Sequence, residues 1–189
     1  MPGDDGIELT GGLEYIQPVE KLIPSEDRSK RVEAKATIQP QDLRIFLTEA
    51  ILREVWEWST SDVGHELGGV FVGDLYSYRG VPYIEIAGYI RAQHYRHTAA
   101  SFRFTHDSWS AITREKEKRF NDRIIVGWHH THPGYGLFLS GADMFIHRNF
   151  FNLPWMVAMV VDPKQGILGF FQWEKGLKGV RDCGFYFVR

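Results

Sequence analysis

Apolar and polar residues alternate in clear blocks only after the first 33 residues. Residues 1–33 are rich in Gly, Pro, Asp, Glu, Lys and Ser, and their apolar residues are scattered. This pattern predicts a partly ordered N-terminal tail with one short strand around Leu13–Gln17. From residue 34 to residue 189 the apolar positions are dense enough to predict one folded domain.

Helical spacing of apolar residues predicts three helices. From Gln41 to Ser59 these residues recur at every third or fourth position, and Pro40 stands where the first turn of a helix accepts proline. Asp107 is a suitable N-cap for a charged helix that runs to Phe120. A third helix is predicted over residues 140–151, ended by the proline at 154.

Shorter apolar or alternating runs predict eight strands. Glycines within the run at 66–73 indicate that another group comes close to its backbone. Turns or loops are expected at 74–80, 91–100, 133–139 and 162–166. The strands are Ala36–Ile38, Glu66–Gly73, Pro82–Ile90, Ser101–Thr105, Ile124–His132, Trp155–Val161, Ile167–Glu174 and Gly184–Arg189.

The order of these elements indicates an α+β fold with a mixed sheet flanked by helices. Strands and helices do not alternate regularly, several strands follow one another as hairpins, and no glycine-rich phosphate loop is present. A doubly wound nucleotide-binding fold is therefore not expected.

Composition narrows the class of protein further. The chain has 189 residues, is 43% hydrophobic and 14% aromatic, and carries a net charge of −2, which gives no electrostatic basis for binding nucleic acid. Its one cysteine, Cys183, excludes an internal disulfide and a multi-cysteine metal site. No apolar run reaches membrane-spanning length, and the acidic start lacks the apolar core of a secretion signal. We therefore expect a cytoplasmic protein without a membrane partner.

The candidate chemistry lies at the end of the strand at 124–132. His130 and His132 are two positions apart, so their side chains leave an extended strand on the same face. Asp143, in the first turn of the following helix, offers a carboxylate oxygen. Two imidazoles and one carboxylate with an open fourth position for water form the donor set of a hydrolytic zinc site.

A simpler interpretation is two hydrogen-bonded histidines at a strand end followed by an ordinary capped helix. Ser140 and Asp143 indeed have the spacing of a variant capping box. The ordered series from His130 to Asp143, with the cap placing a carboxylate beside the strand end, favours the metal site. Two nitrogens and one oxygen suit zinc, although other divalent ions remain open.

A hydrolytic site also needs a base and a donor for the developing oxyanion. Glu66 stands at the head of a glycine-bearing strand, but by position alone it is one of many acidic residues. Ser140 is able to cap its helix and also donate a hydrogen bond to an oxyanion.

Three motifs together resemble the JAMM/MPN+ metalloprotease family, above all its deubiquitinating members. They are Glu66-x-x-Gly69-x-x-x-Gly73, the run Gly127-Trp-His-His-Thr-His-Pro-Gly-Tyr-Gly136, and Leu139-Ser-Gly-Ala-Asp143. The resemblance covers about residues 36–174. It implies the MPN fold, a curved mixed β-sheet flanked by helices in a cytidine-deaminase-like layered architecture. It also implies cleavage of an isopeptide or peptide bond after the Gly-Gly end of ubiquitin or a ubiquitin-like protein.

The same resemblance implies residue roles. His130, His132 and Asp143 would ligate Zn²⁺, Glu66 would act as general acid and base, and Ser140 would stabilise the oxyanion. The role of Glu66 rests on the family alone. Some of Tyr135, Leu137 and Phe138, in the loop that follows the histidines, are candidates to hold an extended Gly-Gly tail, which a nearby sheet edge is able to bind by strand addition.

Other histidines are weaker candidates. His129 stands where relatives often carry an aromatic residue and faces away from the ligand pair, so we expect it in packing or on the substrate side. His147, four residues after Asp143, is expected near the site or in solvent and not as a ligand. His65 and Glu66 open like an HExxH motif, but Gly69 replaces the second histidine.

The compact chain, without long C-terminal helices, favours a stand-alone enzyme of prokaryotic type acting on a ubiquitin-like protein. A ubiquitin-like sulfur carrier or a conjugate of a bacterial defence pathway is an alternative substrate. A non-catalytic MPN binding module is a third hypothesis, which the complete set of ligands disfavours.

Overall fold

A curved mixed β-sheet runs through the computed structural model, which describes residues 16–93, 96–98 and 101–189. Ten strands of the described chain belong to this sheet, and two more form a separate hairpin. The sheet strands are β1 (Val19–Glu20), β2 (Val32–Lys35), β3 (Arg44–Thr48), β4 (Gly68–Tyr78), β5 (Val81–Arg91), β8 (Ile124–Thr131), β9 (Val157–Asp162), β10 (Ile167–Trp173), β11 (Val180–Cys183) and β12 (Phe185–Val188). The hairpin strands are β6 (Arg96–Thr98) and β7 (Ser101–Arg103).

The strand order places β8 near the middle of the sheet. The order is β11-β10-β9-β8-β4-β5-β3-β12-β2, and β1 pairs with the far end of β4. β8 runs antiparallel to β4 and parallel to β9, so it has a hydrogen-bonded neighbour on each side. All of β8 after Ile124 is buried, as expected for a strand inside the sheet with a neighbour on each side.

Three helices flank the sheet in the described part of the chain: α1 (Glu49–Ser61), α2 (His106–Arg119) and α3 (Gly141–Phe150). Each buries a narrow stripe, represented by Val55 in α1, Ile112 in α2 and Ile146 in α3. None of these helices is long and apolar enough to cross a membrane. The α+β class and the curved mixed sheet predicted from the sequence are thus confirmed.

The predicted helix at 41–59 is half wrong. Residues 44–48 form β3, which pairs in parallel with both β5 and β12, and α1 begins only at Glu49. Ile45, Phe46 and Leu47 are all buried, as expected for a central strand, while Phe46 and Leu47 also have helical spacing relative to Ala50 and Ile51. Strand pairing on two sides therefore outweighs a periodicity that both structures satisfy.

Other predicted boundaries also move. The strand expected at Ala36–Ile38 lies at 32–35, and the turn expected over 74–80 shrinks to Arg79 and Gly80 because β4 and β5 form one long hairpin. The N-cap of α2 is Thr105 instead of Asp107, since Thr105 and Ser108 exchange capping hydrogen bonds. Strands β1, β6 and β11 lack an alternating pattern and were not predicted. Most of the strand expected near Leu13–Gln17, and residues 94, 95, 99 and 100 of the loop expected at 91–100, lie outside the described residues.

Candidate active site

The end of β8 presents two imidazoles to one point. His130 lies opposite Gly68 at the end of the β4–β8 pairing. His132 follows the strand, and its backbone N–H donates a hydrogen bond to the Val161 carbonyl of β9 (2.8 Å). Their Nε2 atoms are 3.1 Å apart. The predicted shared face is therefore present, and both side chains are buried.

Asp143 reaches the same point from the first turn of α3. Its Oδ1 lies 3.3 Å from Nε2 of His130, and its Oδ2 lies 3.3 Å from Nε2 of His132. The helix start fixes the carboxylate, because Oδ2 also accepts the backbone N–H of Ser140 (2.7 Å) while Ser140 Oγ accepts the N–H of Asp143 (3.2 Å). The predicted capping box is thus confirmed.

These three side chains form a donor set that fits a zinc ion. One ligand atom from each of His130, His132 and Asp143 lies within 4.8 Å of the others, and each residue is buried. Burial raises the pKa of the Asp143 carboxyl, but the hydrogen bonds from His130 and His132 outweigh it and hold the pKa well below its usual value. The aspartate is therefore an anion, as a metal ligand must be.

Glu66 lies beside this cluster, just before β4. The strand end of β8 places it, because the Thr131 hydroxyl accepts the N–H of Leu67 and the Thr131 N–H donates to the Leu67 carbonyl, both at 2.8 Å. Glu66 Oε1 is 3.9 Å from Nε2 of His132, and Oε2 is buried without a hydrogen bond. Burial, with a contribution from the charge of Asp143, raises the Glu66 pKa to about 7.

The predicted approach of another group to the β4 glycines is confirmed. A Cβ atom on Gly68 would lie 2.7 Å from the Phe102 ring and 2.8 Å from the His129 carbonyl, and one on Gly69 would lie 2.4 Å from the Tyr89 hydroxyl. Only glycine allows β4 to pack this closely beside the site.

Trp128 stacks on His130 and is itself hydrogen-bonded to His147, an arrangement that the sequence does not predict. The His130 and Trp128 rings stack at 4.5 Å between centroids and 12° between planes. The Trp128 indole N–H donates to Nδ1 of His147 (3.0 Å), whose ring stacks on Trp173. His147 is fully buried, so the expectation of a place near the site holds and the solvent alternative is wrong.

His129 lies on the opposite face of β8, as predicted, and takes part in packing. Its Nδ1 is 2.9 Å from the Tyr89 hydroxyl and its Nε2 is 3.0 Å from Ser59 Oγ. Burial lowers its pKa well below the ordinary value, so the ring is neutral.

The active-site loop, residues 133–139, connects His132 to the cap of α3. Its backbone N–H groups at Gly134 and Gly136 both donate to the buried carboxylate of Asp162 at 2.8 Å. From the sequence, Asp162 is only the first residue of the predicted turn at 162–166. The available signal was an acidic residue directly after an apolar run that ends at the same edge as β8.

The side chains of this loop divide between core and surface. Tyr135 is 58% exposed and Phe138 is 44% exposed, whereas Leu137 packs against the core beside Gly169. The Phe138 ring lies 4.6 Å from the His132 ring. Tyr135 and Phe138 are thus accessible in the active-site loop, and Leu137 is partly buried.

An apolar cavity of about 390 Å³ lies between β7 and α3. Phe145, 65% exposed, stands at its surface. The lining residues are Phe102, Arg103, Phe104, Ala142, Phe145, Ile146 and Phe150.

Comparison with known proteins agrees with this geometry. Residues 55–153 match the family described as JAB1/Mov34/MPN/PAD-1 ubiquitin protease. The 26S proteasome regulatory subunit RPN11 of Eremothecium gossypii is 30% identical over 156 residues, which cover 80% of this chain and 49% of that protein. The ubiquitin carboxyl-terminal hydrolase RPN11 of Saccharomyces cerevisiae is 27% identical over 127 residues, 66% of this chain and 40% of that protein. The chain thus spans about half or less of the length of these relatives.

A solved structure supports the fold alone. The solution structure of protein DSY2949 from Desulfitobacterium hafniense superposes with a TM-score of 0.55 at 19% identity, covering 75% of this chain and 90% of the other. The family match includes Glu66 and all three convergent donors, and the relatives extend the likeness over most of the chain. The chain therefore belongs to the JAB1/Mov34/MPN/PAD-1 ubiquitin protease family.

Proposed function

We propose that the protein is a zinc-dependent isopeptidase or peptidase that cleaves after the C-terminal Gly-Gly of ubiquitin or a ubiquitin-like protein. The observation that carries the proposal is the convergence of His130, His132 and Asp143 within 4.8 Å, with the Glu66 carboxylate beside them. A purely structural cluster does not need a second buried acid at this point. The name of the yeast relative, a ubiquitin carboxyl-terminal hydrolase, supports the substrate class.

Zinc is the metal that these donors suit best. Two imidazole nitrogens and one carboxylate oxygen are held by a strand end and a helix cap, and three protein ligands are typical of catalytic zinc. When bound there, zinc supplies Lewis acidity and lowers the pKa of a coordinated water.

Glu66 is the proposed general base and then general acid. It accepts a proton from the attacking water and returns it to the leaving amine, the lysine amine in an isopeptide substrate. In the metal-free protein burial raises the Glu66 pKa to about 7, so the environment of this carboxylate favours uptake of a proton. The unpartnered Oε2 atom is available for this proton.

Ser140 is the proposed oxyanion donor. Its Oγ accepts the N–H of Asp143, and its hydroxyl hydrogen is able to turn from the Asp143 carboxylate to a substrate oxygen. The side chain is half-buried, so a substrate carbonyl is able to reach it.

The depth of the site favours glycines on the acyl side of the scissile bond. Glu66, His130, His132 and Asp143 are each no more than 3% exposed, so a scissile carbonyl has to approach buried groups, and residues without side chains do this most readily. Farther along the tail, the cavity beside Ala142 and the exposed Phe145 offer apolar contacts to larger side chains.

Cleavage of modifier fusions tests the proposal. Ubiquitin, a ubiquitin-like sulfur carrier and a bacterial conjugation modifier, each ending in Gly-Gly and fused to a reporter, are incubated with zinc-loaded protein and with protein treated with a chelator. We expect zinc-dependent cleavage after Gly-Gly of at least one fusion, and loss of cleavage when the final glycine is replaced by alanine. The preferred fusion identifies the class of modifier.

Glu66→Gln provides the matched variant. We expect it to retain zinc and to cleave about 10²–10⁴-fold more slowly. Glu117→Gln, at an exposed acid of α2, should cleave like the wild type. Zinc-loaded protein that cleaves none of the Gly-Gly fusions would support the non-catalytic binding module instead.

A further inference from the structure

Asp162 is a fully buried carboxylate that takes no part in the proposed reaction. Both of its oxygens accept hydrogen bonds from backbone N–H groups near the site. Oδ2 accepts the N–H of Gly136, and Oδ1 accepts the N–H of Gly134, both at 2.8 Å. Oδ1 also accepts two N–H groups of the following turn, at Lys164 and Gln165 (3.0 Å each). Four backbone donors on one carboxylate are more than a turn requires.

The same peptide segment contacts a predicted metal ligand. Nδ1 of His132 lies 3.3 Å from the carbonyl oxygen of Gly136, whose N–H is held by Asp162. A carbonyl only accepts, so this contact places the imidazole hydrogen on Nδ1. With a hydrogen held on Nδ1, Nε2 of His132 is the nitrogen that faces Asp143 and His130, and it would bind a metal after giving up the hydrogen that it donates to Asp143.

Sheet topology explains why Asp162 and His132 meet. Asp162 is the last residue of β9, and β8 runs parallel to β9 with Thr131 opposite Val161. The carboxyl ends of both strands therefore lie at one edge of the sheet. From that edge the active-site loop turns back over β9, with positive φ at Gly134 (90°) and Gly136 (83°).

We propose that Asp162 is a positioning residue for the zinc site, which holds the Gly136 peptide so that its carbonyl orients His132 and fixes the tautomer that coordinates through Nε2. This inference rests on the proposed function, because it assumes that zinc binds at His132. A direct hydrogen-bond partner of a metal ligand, here the Gly136 carbonyl, typically contributes about 10–100-fold to metal affinity, and Asp162 holds the peptide that carries this carbonyl.

Asp162→Asn tests the role of the carboxylate. An amide of the same shape has one acceptor atom instead of two and turns an NH₂ group toward backbone donors, so the loop cannot keep its hydrogen bonds. The full-length variant is prepared without metal, and its zinc dissociation constant is measured by competition with a chromogenic chelator. We expect a constant about 10–100-fold higher than that of the wild type.

A matched control separates positioning from general destabilisation. Asp42 is also buried, pairs with Arg181 and accepts the N–H of Gln39 (2.8 Å). It lies just before β3 and does not contact the active-site loop in any described hydrogen bond. Asp42→Asn should lower the melting temperature of the metal-free protein and leave the zinc dissociation constant unchanged. Equal weakening of zinc binding in both variants would overturn the proposal.

A second pair of variants decides the matter if Asp162→Asn does not fold. Gly136→Ala strains the active-site loop at a positive φ with open space around the new methyl group, and Gly80→Ala applies the same strain in the β4–β5 turn (φ 77°). We expect weaker zinc binding only for Gly136→Ala. Unchanged affinity in both would overturn the proposal.

The outcomes also distinguish this inference from the proposed function. If the wild type binds zinc and cleaves Gly-Gly fusions while Asp162→Asn binds zinc with wild-type affinity, the inference fails and the proposed function stands. If the wild type does not bind zinc at all, both fail.

Discussion

His129 and His130 are neighbours in β8, are equally buried, and differ in almost everything else. His129 has a partner at each ring nitrogen. The Ser59 hydroxyl donates to the Val55 carbonyl (2.8 Å), so it accepts from Nε2 of His129, and Nδ1 then accepts from the Tyr89 hydroxyl. Both ring nitrogens of His129 and the hydroxyl groups of Ser59 and Tyr89 are therefore satisfied within the protein.

The face of His130 has the opposite character. Nε2 of His130 lies close to Nε2 of His132 and to Oδ1 of Asp143, and its Nδ1 has no hydrogen-bond partner among the described residues. Two imidazole nitrogens and a carboxylate at one point require a proton or a cation between them. Equal burial therefore gives a structural histidine where polar partners are complete and a candidate metal ligand where they are not.

Replacement of the two histidines one at a time gives the largest expected contrast. His130→Ala removes one of three donors, and we expect bound zinc to fall from about one ion per chain to about zero, with cleavage at background. His129→Ala should keep its zinc. Metal content by mass spectrometry after dialysis measures both, and full zinc occupancy in His130→Ala would contradict the assigned site.

The two capping boxes extend the comparison to the helix starts. Ser140→Ala should lower kcat by about 10²–10³-fold if Ser140 donates to the oxyanion, and should cost about 1 kcal/mol of stability as a lost cap. Thr105→Ala removes the equivalent cap of α2 and should cost similar stability without a change in kcat. Steady-state kinetics and thermal unfolding check the pair, and equal effects on kcat would leave Ser140 a cap only.

Local spacing made the metal side of β8 predictable from sequence. His130 and His132 share a face by the period of a strand, and the Ser140–Asp143 cap is a four-residue pattern, so both features depend on short range alone. The position of Glu66 depends on β4 pairing with β8, more than 60 residues away, and only the family resemblance pointed to it.

Features that depend on tertiary pairing escaped prediction. The sequence predicts helix at β3 because Phe46 and Leu47 have helical spacing relative to Ala50 and Ile51, and the pairing of β3 with β5 and β12 is not visible locally. The contact of Trp128 with His147 and the bonds of Asp162 to the active-site loop join separate elements and leave no periodic trace.

On the His129 face of β8, where the hydrogen bonds are complete, we expect a substitution to lower stability and not to change the chemistry. His129→Ala opens a cavity and leaves the buried Tyr89 hydroxyl without an acceptor, so we expect a loss of about 2–4 kcal/mol in the free energy of unfolding. Urea unfolding of the metal-free protein measures this loss. A variant as stable as the wild type would show that the Tyr89–His129–Ser59 hydrogen bonds contribute little.

On the His130 face of β8, we expect the titration of the neighbouring Glu66 to make stability depend on pH. In the folded, metal-free protein its pKa is raised from 4.5 to about 7. Between these values the folded state binds more protons than the unfolded state, so this carboxyl makes the protein less stable as pH rises from about 4.5 to about 7, and adds no further change above or below.

Glu66→Gln removes that titration and isolates it from the other groups. The variant should therefore gain stability relative to the wild type as pH rises through this window, by up to about 3 kcal/mol in the free energy of unfolding. Urea unfolding with a chelator present, at several pH values from 4.5 to 8, measures the difference. The exposed control Glu117→Gln should show a constant difference. A constant difference for Glu66→Gln as well would mean that its carboxylate is already stabilised in the folded protein, which would make the two faces of β8 more alike than the hydrogen bonds indicate.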